Sequence, residues 1–123
     1  MENRLIVYGS LRKGAYNFQR FVDYYSEENI KYEKTLVIEG YLLYDLGYGY
    51  PCAIQTGNPD HKMTVDILNV SDLCFEALNA MEIGAGYKPT VIEVDNEKAI
   101  IYVFKRPEGT LVPEGDWLSH INN

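Results

Sequence analysis

The chain has 123 residues and a formal net charge of −7 at pH 7, from 18 acidic and 11 basic residues. This length suits one domain over residues 1–123, and the acidic balance argues against nucleic acid as a partner, because a phosphate backbone calls for a clustered basic face. No stretch approaches the roughly 20 apolar residues that span a bilayer, and residues 1–4 begin no secretory signal, so we expect a cytoplasmic protein without membrane contact.

The chain opens with a strand that runs into a glycine-bounded loop. Residues 5–8 are apolar and predict a buried strand, and residues 9–14 predict a loop that carries hydroxyl and basic side chains. Residues 17–25 predict a short helix packed on the sheet, because four apolar side chains recur at helical spacing. These four are Phe18, Phe21, Val22 and Tyr25.

The middle of the chain predicts strands that are interrupted by glycine and proline. Residues 34–46 predict a strand with a bend at Gly40, and residues 47–51 break the pattern. Two further strands are predicted at residues 52–55 and 63–70. In the second of these we expect Asp66 and Asn69 to face outward.

The last third predicts a helix, a hairpin and a tail. Ser71 suits the N-cap of a helix that ends near Glu82, and its apolar stripe is Leu73, Ala77, Leu78 and Met81. Residues 90–94 and 99–104 predict a hairpin, and residues 106–123 predict an irregular tail anchored by Trp117.

These elements together define a fold class. Few helices and mostly sequential strands predict an α+β domain with two main helices and a small, mostly antiparallel sheet, either curled or closed into a β-barrel.

The loop at residues 9–14 is the first candidate site. Its glycine spacing is that of a phosphate-binding P-loop, but Ala15 and Tyr16 stand where that motif requires Lys and then Ser or Thr. A backbone cradle around Gly9 and Ser10 is the alternative, and its N–H groups would attract a carboxylate or an oxyanion. The plainest interpretation is a tight turn that leads into a helix.

Glu82 is the second candidate. It follows the apolar stripe at the end of the predicted helix, where the helix dipole disfavours a negative charge. An acid at the rim of an apolar cavity has a raised pKa, as a general base near neutral pH requires. The alternative is a solvated surface residue.

The cysteines and histidines indicate neither a disulfide nor a metal site. Cys52 and Cys74 form no CxxC pair and are expected to be reduced thiols, and His61 and His120 lack metal-ligand spacing. We therefore expect no metal and no cofactor.

Four short segments lie in order over nearly the whole chain. They are Val-Tyr-Gly-Ser-Leu-Arg-Lys-Gly at residues 7–14, Glu-Gly-Tyr-Leu-Leu-Tyr at residues 39–44 leading to Tyr50-Pro51, Leu78 with Met81-Glu82 and Gly86-Tyr87, and Gly115-Asp116-Trp117. Their order and spacing resemble the γ-glutamylcyclotransferase-like family, including its small γ-glutamylamine cyclotransferase and AIG2-like members.

The resemblance implies an enzyme and a set of site residues. Family members cyclise a small γ-glutamyl substrate to 5-oxoproline, releasing an amine or amino acid without a cofactor. Carried over, the catalytic acid/base is Glu82, and the substrate-binding residues are Tyr8, Gly9, Ser10, Leu11 and Tyr87. In the same reading, Arg12 or Lys13 would attract the anionic substrate, and Tyr41 or Tyr50 would help to wall the cavity.

Two positions depart from the family pattern. Pro89 stands where the family often has Arg, beside Lys88, and Asn79 stands where an acid is common. These departures leave the substrate open, and they leave room for a non-catalytic ligand-binding or interaction module on the same fold.

Overall fold

A computed structural model of the protein describes residues 2–122. The elements in chain order are β1 (Glu2–Val7), α1 (Tyr16–Tyr25), β2 (Ile30–Glu39), β3 (Tyr41–Asp45), β4 (Pro51–Gln55), β5 (Lys62–Ser71), α2 (Asp72–Gly84), β6 (Lys88–Val94), β7 (Glu97–Val103), β8 (Thr110–Leu111) and α3 (Trp117–Ile121). No helix within residues 2–122 has the length and apolar character needed to cross a membrane.

The strands form a five-stranded and a three-stranded sheet. The larger sheet has the order β2-β5-β1-β7-β6, and the smaller one has the order β4-β3-β8. Strands β1 and β7 pair in parallel, whereas the other strand pairs are antiparallel. Strand β1 is therefore central, with β5 on one side and β7 on the other.

The α+β class and the mostly antiparallel pairing are confirmed, but closure into a barrel is wrong. In residues 2–122 the strand pairing leaves β2 and β6 at the two edges of an open sheet. Gly40, with φ of +91°, turns the chain out of β2, so that β3 starts a separate sheet. The two sheets meet at one corner, where the Phe104 N–H donates to the Ala53 carbonyl at 2.9 Å.

The core lies on both faces of the larger sheet. One cluster fills the space between the two sheets and includes Ile6, Leu43 and Trp117. The other packs both long helices on the opposite face, where Leu5 and Leu78 are buried. Trp117 is thus the anchor of the tail, as expected, although the tail also forms β8 and α3 and is less irregular than predicted.

The prediction that Asp66 faces outward is wrong. Asp66 is 1% exposed on β5, which is covered on both faces. Its carboxylate accepts hydrogen bonds from the Lys13 N–H at 2.8 Å and the Thr35 hydroxyl at 2.6 Å, and Arg12 Nε lies 3.4 Å away. These partners compensate for burying a charge that would otherwise be very costly.

The second helix is confirmed, but its buried face is rotated from the prediction. Ser71 accepts a hydrogen bond from the Cys74 N–H as N-cap, and the helix runs two residues past Glu82, to Gly84. Leu73 and Met81 are 64% and 44% exposed, while Cys74 and Leu78 are buried. The difference arises because α2 packs on β1, β5 and β6 through a narrow face.

Candidate active site

A cavity of about 280 Å³ lies at the carboxyl end of β1. Three segments converge there: the loop after β1, the last turns of α2, and the residues that lead into β4. The lining residues are Leu5, Ile6, Val7, Tyr8, Gly9, Ser10, Leu11, Asn17, Tyr48, Tyr50, Pro51, Leu78, Met81, Glu82, Ala85, Tyr87 and Tyr102. All six site residues named from the sequence are in this set.

The loop after β1 is held in place by contacts with β4 and with α1. Gly9 packs against Pro51, so closely that a Cβ at position 9 would lie 2.5 Å from the Pro51 Cγ. The Ser10 carbonyl accepts from the N–H groups of Asn17 and Phe18 in the first turn of α1, at 3.1 and 3.2 Å. The Asn17 side chain also donates to Ser10 Oγ at 2.9 Å. The loop conformation is therefore set by β4 and α1 together.

The backbone donors of this loop have few partners. Within residues 2–122, the N–H groups of Gly9, Ser10 and Leu11 donate no hydrogen bond to a protein acceptor, although all three residues are buried. Buried N–H groups are nearly always paired in folded proteins. Because these three residues line the cavity, their unpaired N–H groups are candidate donors for an anion there.

The Tyr8 side chain lines the cavity, and its hydroxyl group links two strands. Its hydroxyl donates to the Tyr102 carbonyl and accepts from the Ala53 N–H at 3.2 Å. Burial raises the pKa of Tyr8 well above its usual value, with Tyr87 and Glu82 adding to the shift. The hydroxyl thus joins β4 to β7 and stays protonated.

Glu82 lies on the helix face that forms one wall of the cavity. Leu78, Met81, Glu82 and Ala85 all line it, at the spacing of three and four residues that places side chains on one side of a helix. Burial raises the pKa of Glu82 from 4.5 to about 7. The carboxyl group is therefore half ionised near neutral pH, the range in which a general acid/base is most effective.

Tyr87, which follows α2, also lines the cavity. Its hydroxyl donates to the Pro51 carbonyl at 2.6 Å, and its ring packs on Phe104 with centroids 4.6 Å apart. Burial, with the charge of Glu82, raises the Tyr87 pKa far above its normal value. Pro51 therefore contacts Gly9 on one side and Tyr87 on the other, and it connects the two parts of the site.

The described lining residues include no lysine, arginine or histidine. Arg12 is 4% exposed and donates through Nη1 to Asp116 at 2.9 Å, and its Nε faces Asp66. Lys13 is exposed and lies over the ring of Tyr32. Neither cation lines the cavity, which opposes both the expected role in substrate attraction and the nucleotide-binding interpretation of this loop.

The structure adds residues that the sequence did not single out. Tyr102, on the strand beside β1, lines the cavity and donates to Asn79 Oδ1 at 2.6 Å. Burial and the charge of Glu82 raise the pKa of Tyr102 to about 12. Of the two tyrosines expected as walls, Tyr50 lines the cavity, whereas Tyr41 is buried between the sheets.

Fold and site together define a class of protein. The chain belongs to the gamma-glutamyl cyclotransferase, AIG2-like family, whose model matches residues 5–119. This confirms the resemblance noted from the sequence.

Similar proteins support the assignment. The chain is 31% identical over 116 residues to a Pyrococcus horikoshii protein named "Putative gamma-glutamylcyclotransferase PH0828", covering 93% of this chain and 90% of that one. The crystal structure of PH0828 superposes with a TM-score of 0.76 at 29% identity, covering 98% of each chain. The solution structure of Escherichia coli ytfP gives a TM-score of 0.72 at 27% identity, over 96% of this chain and 98% of that chain.

A mouse AIG2-like protein shares the fold. Its crystal structure superposes with a TM-score of 0.68 at 17% identity, over 83% of this chain and 76% of the mouse chain.

Proposed function

We propose that the protein is a γ-glutamyl cyclotransferase that acts without a cofactor on a small γ-glutamyl compound. The observation that carries the proposal is the partly buried Glu82, whose pKa is raised to about 7, on the wall of the same cavity as the Gly9–Leu11 backbone. The Glu82 carboxyl group can exchange protons at neutral pH, and the backbone N–H groups of residues 9–11 can bind negative charge.

The proposed reaction is an intramolecular acyl transfer. Glu82 removes a proton from the substrate α-ammonium group, and the free amine attacks the γ-carbonyl carbon to form the ring C–N bond. The carbonyl electron pair moves to oxygen and returns when the original amide C–N bond breaks. The proton held by Glu82 goes to the leaving nitrogen, and the regenerated Glu82 carboxylate passes the second proton of the ring nitrogen to the released amine. The products are 5-oxoproline, with one lactam N–H, and an amine or amino acid in its ammonium form.

The N–H groups of Gly9, Ser10 and Leu11 have the proposed role of binding negative charge on the substrate. They would bind either the substrate α-carboxylate or the oxyanion of the tetrahedral intermediate. The described lining residues include no cationic side chain, which supports giving this role to backbone N–H groups. Removing one such donor costs roughly 2.7–4 kcal/mol in a measured acyl-transfer enzyme.

Positioning is a large share of the proposed catalysis. The nucleophile and the electrophile belong to one molecule, so the cavity has to hold the folded conformer in which they touch. The rings of Tyr8 and Tyr87 suit this purpose, because their hydroxyls are bonded to backbone carbonyls and their orientations are fixed.

The test is release of 5-oxoproline from a panel of γ-glutamyl amines, amino acids and peptides. We expect turnover by the wild-type protein, and a fall of at least about 10²-fold in kcat for Glu82→Gln, because a general acid/base typically contributes 10²–10⁴-fold. Glu76→Gln, an exposed position on the same helix, is the matched control and should keep full activity.

Two results would contradict the proposal. Full activity in Glu82→Gln would exclude the assigned mechanism. Absence of 5-oxoproline across the panel, combined with saturable binding of the same compounds, would identify a ligand-binding module instead.

A further inference from the structure

A second depression, of about 540 Å³, adjoins the cavity. It is lined by Tyr48, Ala85, Gly86, Lys88, Phe104, Lys105, Arg106 and Glu108. Tyr48 and Ala85 line both spaces, and the packed rings of Tyr87 and Phe104 stand with one ring facing each. A molecule too long for the first cavity would therefore extend into the second.

The second depression is basic in an acidic protein. Lys88, Lys105 and Arg106 are exposed, and in the part of the chain that the structure describes their side chains make no hydrogen bond or ion pair. Glu108 is the one acid among the described lining residues, so the four charged side chains sum to +2. The whole chain carries −7, so this is a local reversal of sign.

The hairpin explains why these cations lie together. Lys88 opens β6 and pairs with Val103 at the end of β7, and the chain continues directly into Phe104, Lys105 and Arg106. Tyr87 and Lys88 are consecutive, yet the first lines the inner cavity and the second lines the depression. Consecutive residues after α2 thus line both the cavity and the depression.

The size of the inner cavity determines which part of a substrate reaches the cations. At about 280 Å³ it lies just below the smallest usual ligand pockets, which start at roughly 300 Å³. It suits the γ-glutamyl group, and Tyr48 and Ala85, which line both spaces, mark a route by which the group attached to the γ-carbonyl reaches the second depression.

We propose that Lys88, Lys105 and Arg106 form a subsite for a carboxylate on the leaving group. The preferred substrates then release an amino acid or a short peptide, whereas an uncharged amine gains nothing from the cations and an amine with a second ammonium group is repelled. This inference rests on the proposed cyclotransferase function and specifies its substrate class.

The test compares two substrates that differ only in the distal charge: γ-glutamyl-alanyl-glycine and its C-terminal amide. Each added residue extends the substrate by up to about 3.3–3.6 Å. Comparing γ-glutamyl-alanine with a longer peptide therefore shows how far from the γ-glutamyl group the carboxylate has to lie to reach the cations. We expect kcat/KM to be about fivefold higher for the free carboxylate, mainly through KM, and to fall with added salt, as for exposed ion pairs.

Two double variants separate the subsite from overall charge. Lys105→Gln/Arg106→Gln should bring the two substrates to nearly equal kcat/KM. Lys62→Gln/Lys98→Gln removes the same charge from positions that line neither space, and should keep the preference. Equal kcat/KM for the two substrates in the wild-type protein, or a preference that survives in Lys105→Gln/Arg106→Gln, would overturn the proposal.

Binding distinguishes a failure of this proposal from a failure of the proposed function. If none of the compounds yields 5-oxoproline, the cyclotransferase proposal fails, and calorimetry with the same two peptides tests the subsite separately. A carboxylate preference that is lost in Lys105→Gln/Arg106→Gln supports the subsite. Equal affinity, or no binding of either peptide, refutes it.

Discussion

Gly9 and Pro51 are packed so closely that no other residue fits at position 9: a Cβ there would lie 2.5 Å from the Pro51 Cγ and 2.7 Å from its Cδ. Gly9 is not among the glycines with positive φ, so the requirement comes from packing and not from backbone conformation. This contact holds the loop after β1 against the start of β4, and Pro51 in turn accepts the Tyr87 hydroxyl.

Gly9→Ala is therefore expected to destabilise the fold by about 1–3 kcal/mol, the usual cost of overpacking. Gly84→Ala is the control, because its Cβ would meet nothing within 4 Å and it lies in α2, where Ala is favoured over Gly by roughly 1 kcal/mol. Urea unfolding measures both. Adding Pro51→Ala to Gly9→Ala should recover part of the loss, and strictly additive losses would contradict the packing explanation.

Glu82→Gln is expected to be more stable than the wild-type protein at pH 8 and equally stable at pH 4. The folded pKa of about 7 exceeds the unfolded value of 4.5, so the wild-type protein loses stability as the pH rises through this window. At about 1.36 kcal/mol per pKa unit, and with a partly exposed side chain, the difference at pH 8 should be about 1–3 kcal/mol. Denaturation of both proteins across this range measures it, and a pH-independent difference would exclude the raised pKa.

Asn79→Asp is expected to raise the pKa of Glu82 further. Asn79 lies three residues before Glu82 on α2 and accepts the Tyr102 hydroxyl through Oδ1, an acceptor that aspartate keeps. A like charge disfavours ionisation, so the acidic limb of the rate profile should move up by about half to one pH unit. Titration of the Glu82 carboxyl by NMR gives the same shift independently of turnover.

Asn58→Asp is the matched control for that shift. It adds the same charge in an exposed turn that lines neither space, and Asn58 Oδ1 likewise acts as a hydrogen-bond acceptor. The acidic limb of the rate profile should lie at the same pH as in the wild-type protein. An equal shift in both variants would assign the effect to overall charge.

Arg12→Leu is expected to cost about 3–5 kcal/mol, the range for removing one partner of a buried ion pair. Arg12 bridges Asp66 on β5 and Asp116 at the N-cap of α3, so its loss leaves the fully buried Asp66 short of a compensating charge. Lys13→Gln, next in the chain and exposed, should change stability by less than about 1 kcal/mol. Thermal unfolding compares them, and adding Asp66→Asn to Arg12→Leu should cost less than the sum of the single changes.

The sequence alone predicted most elements because their causes are local. The helical spacing of Phe18 to Tyr25 marked α1, and Ser71 marked the start of α2. The gap between the two predicted hairpin strands, residues 95–98, contains the turn between β6 and β7. In that turn Asp95 and Asn96 both have positive φ, which these residue types tolerate well. Gly9, Ser10 and Glu82 were already candidates from the residue pattern, whereas Tyr8, Leu11 and Tyr87 came from the family resemblance, which depends on short ordered motifs.

Tertiary structure decided what depends on sheet order and on contacts between distant residues. Asp66 has the polarity of a surface residue, and only the pairing of β5 between β1 and β2, with Arg12 above it, makes it a buried charge. The partner of Gly9 is 42 residues away, and Tyr102 reaches the cavity because β7 pairs with β1. The hydrophobic periodicity of the sequence indicates which face of an element is apolar. The contacts between distant residues follow instead from how the elements are arranged. That arrangement also leaves the larger sheet open.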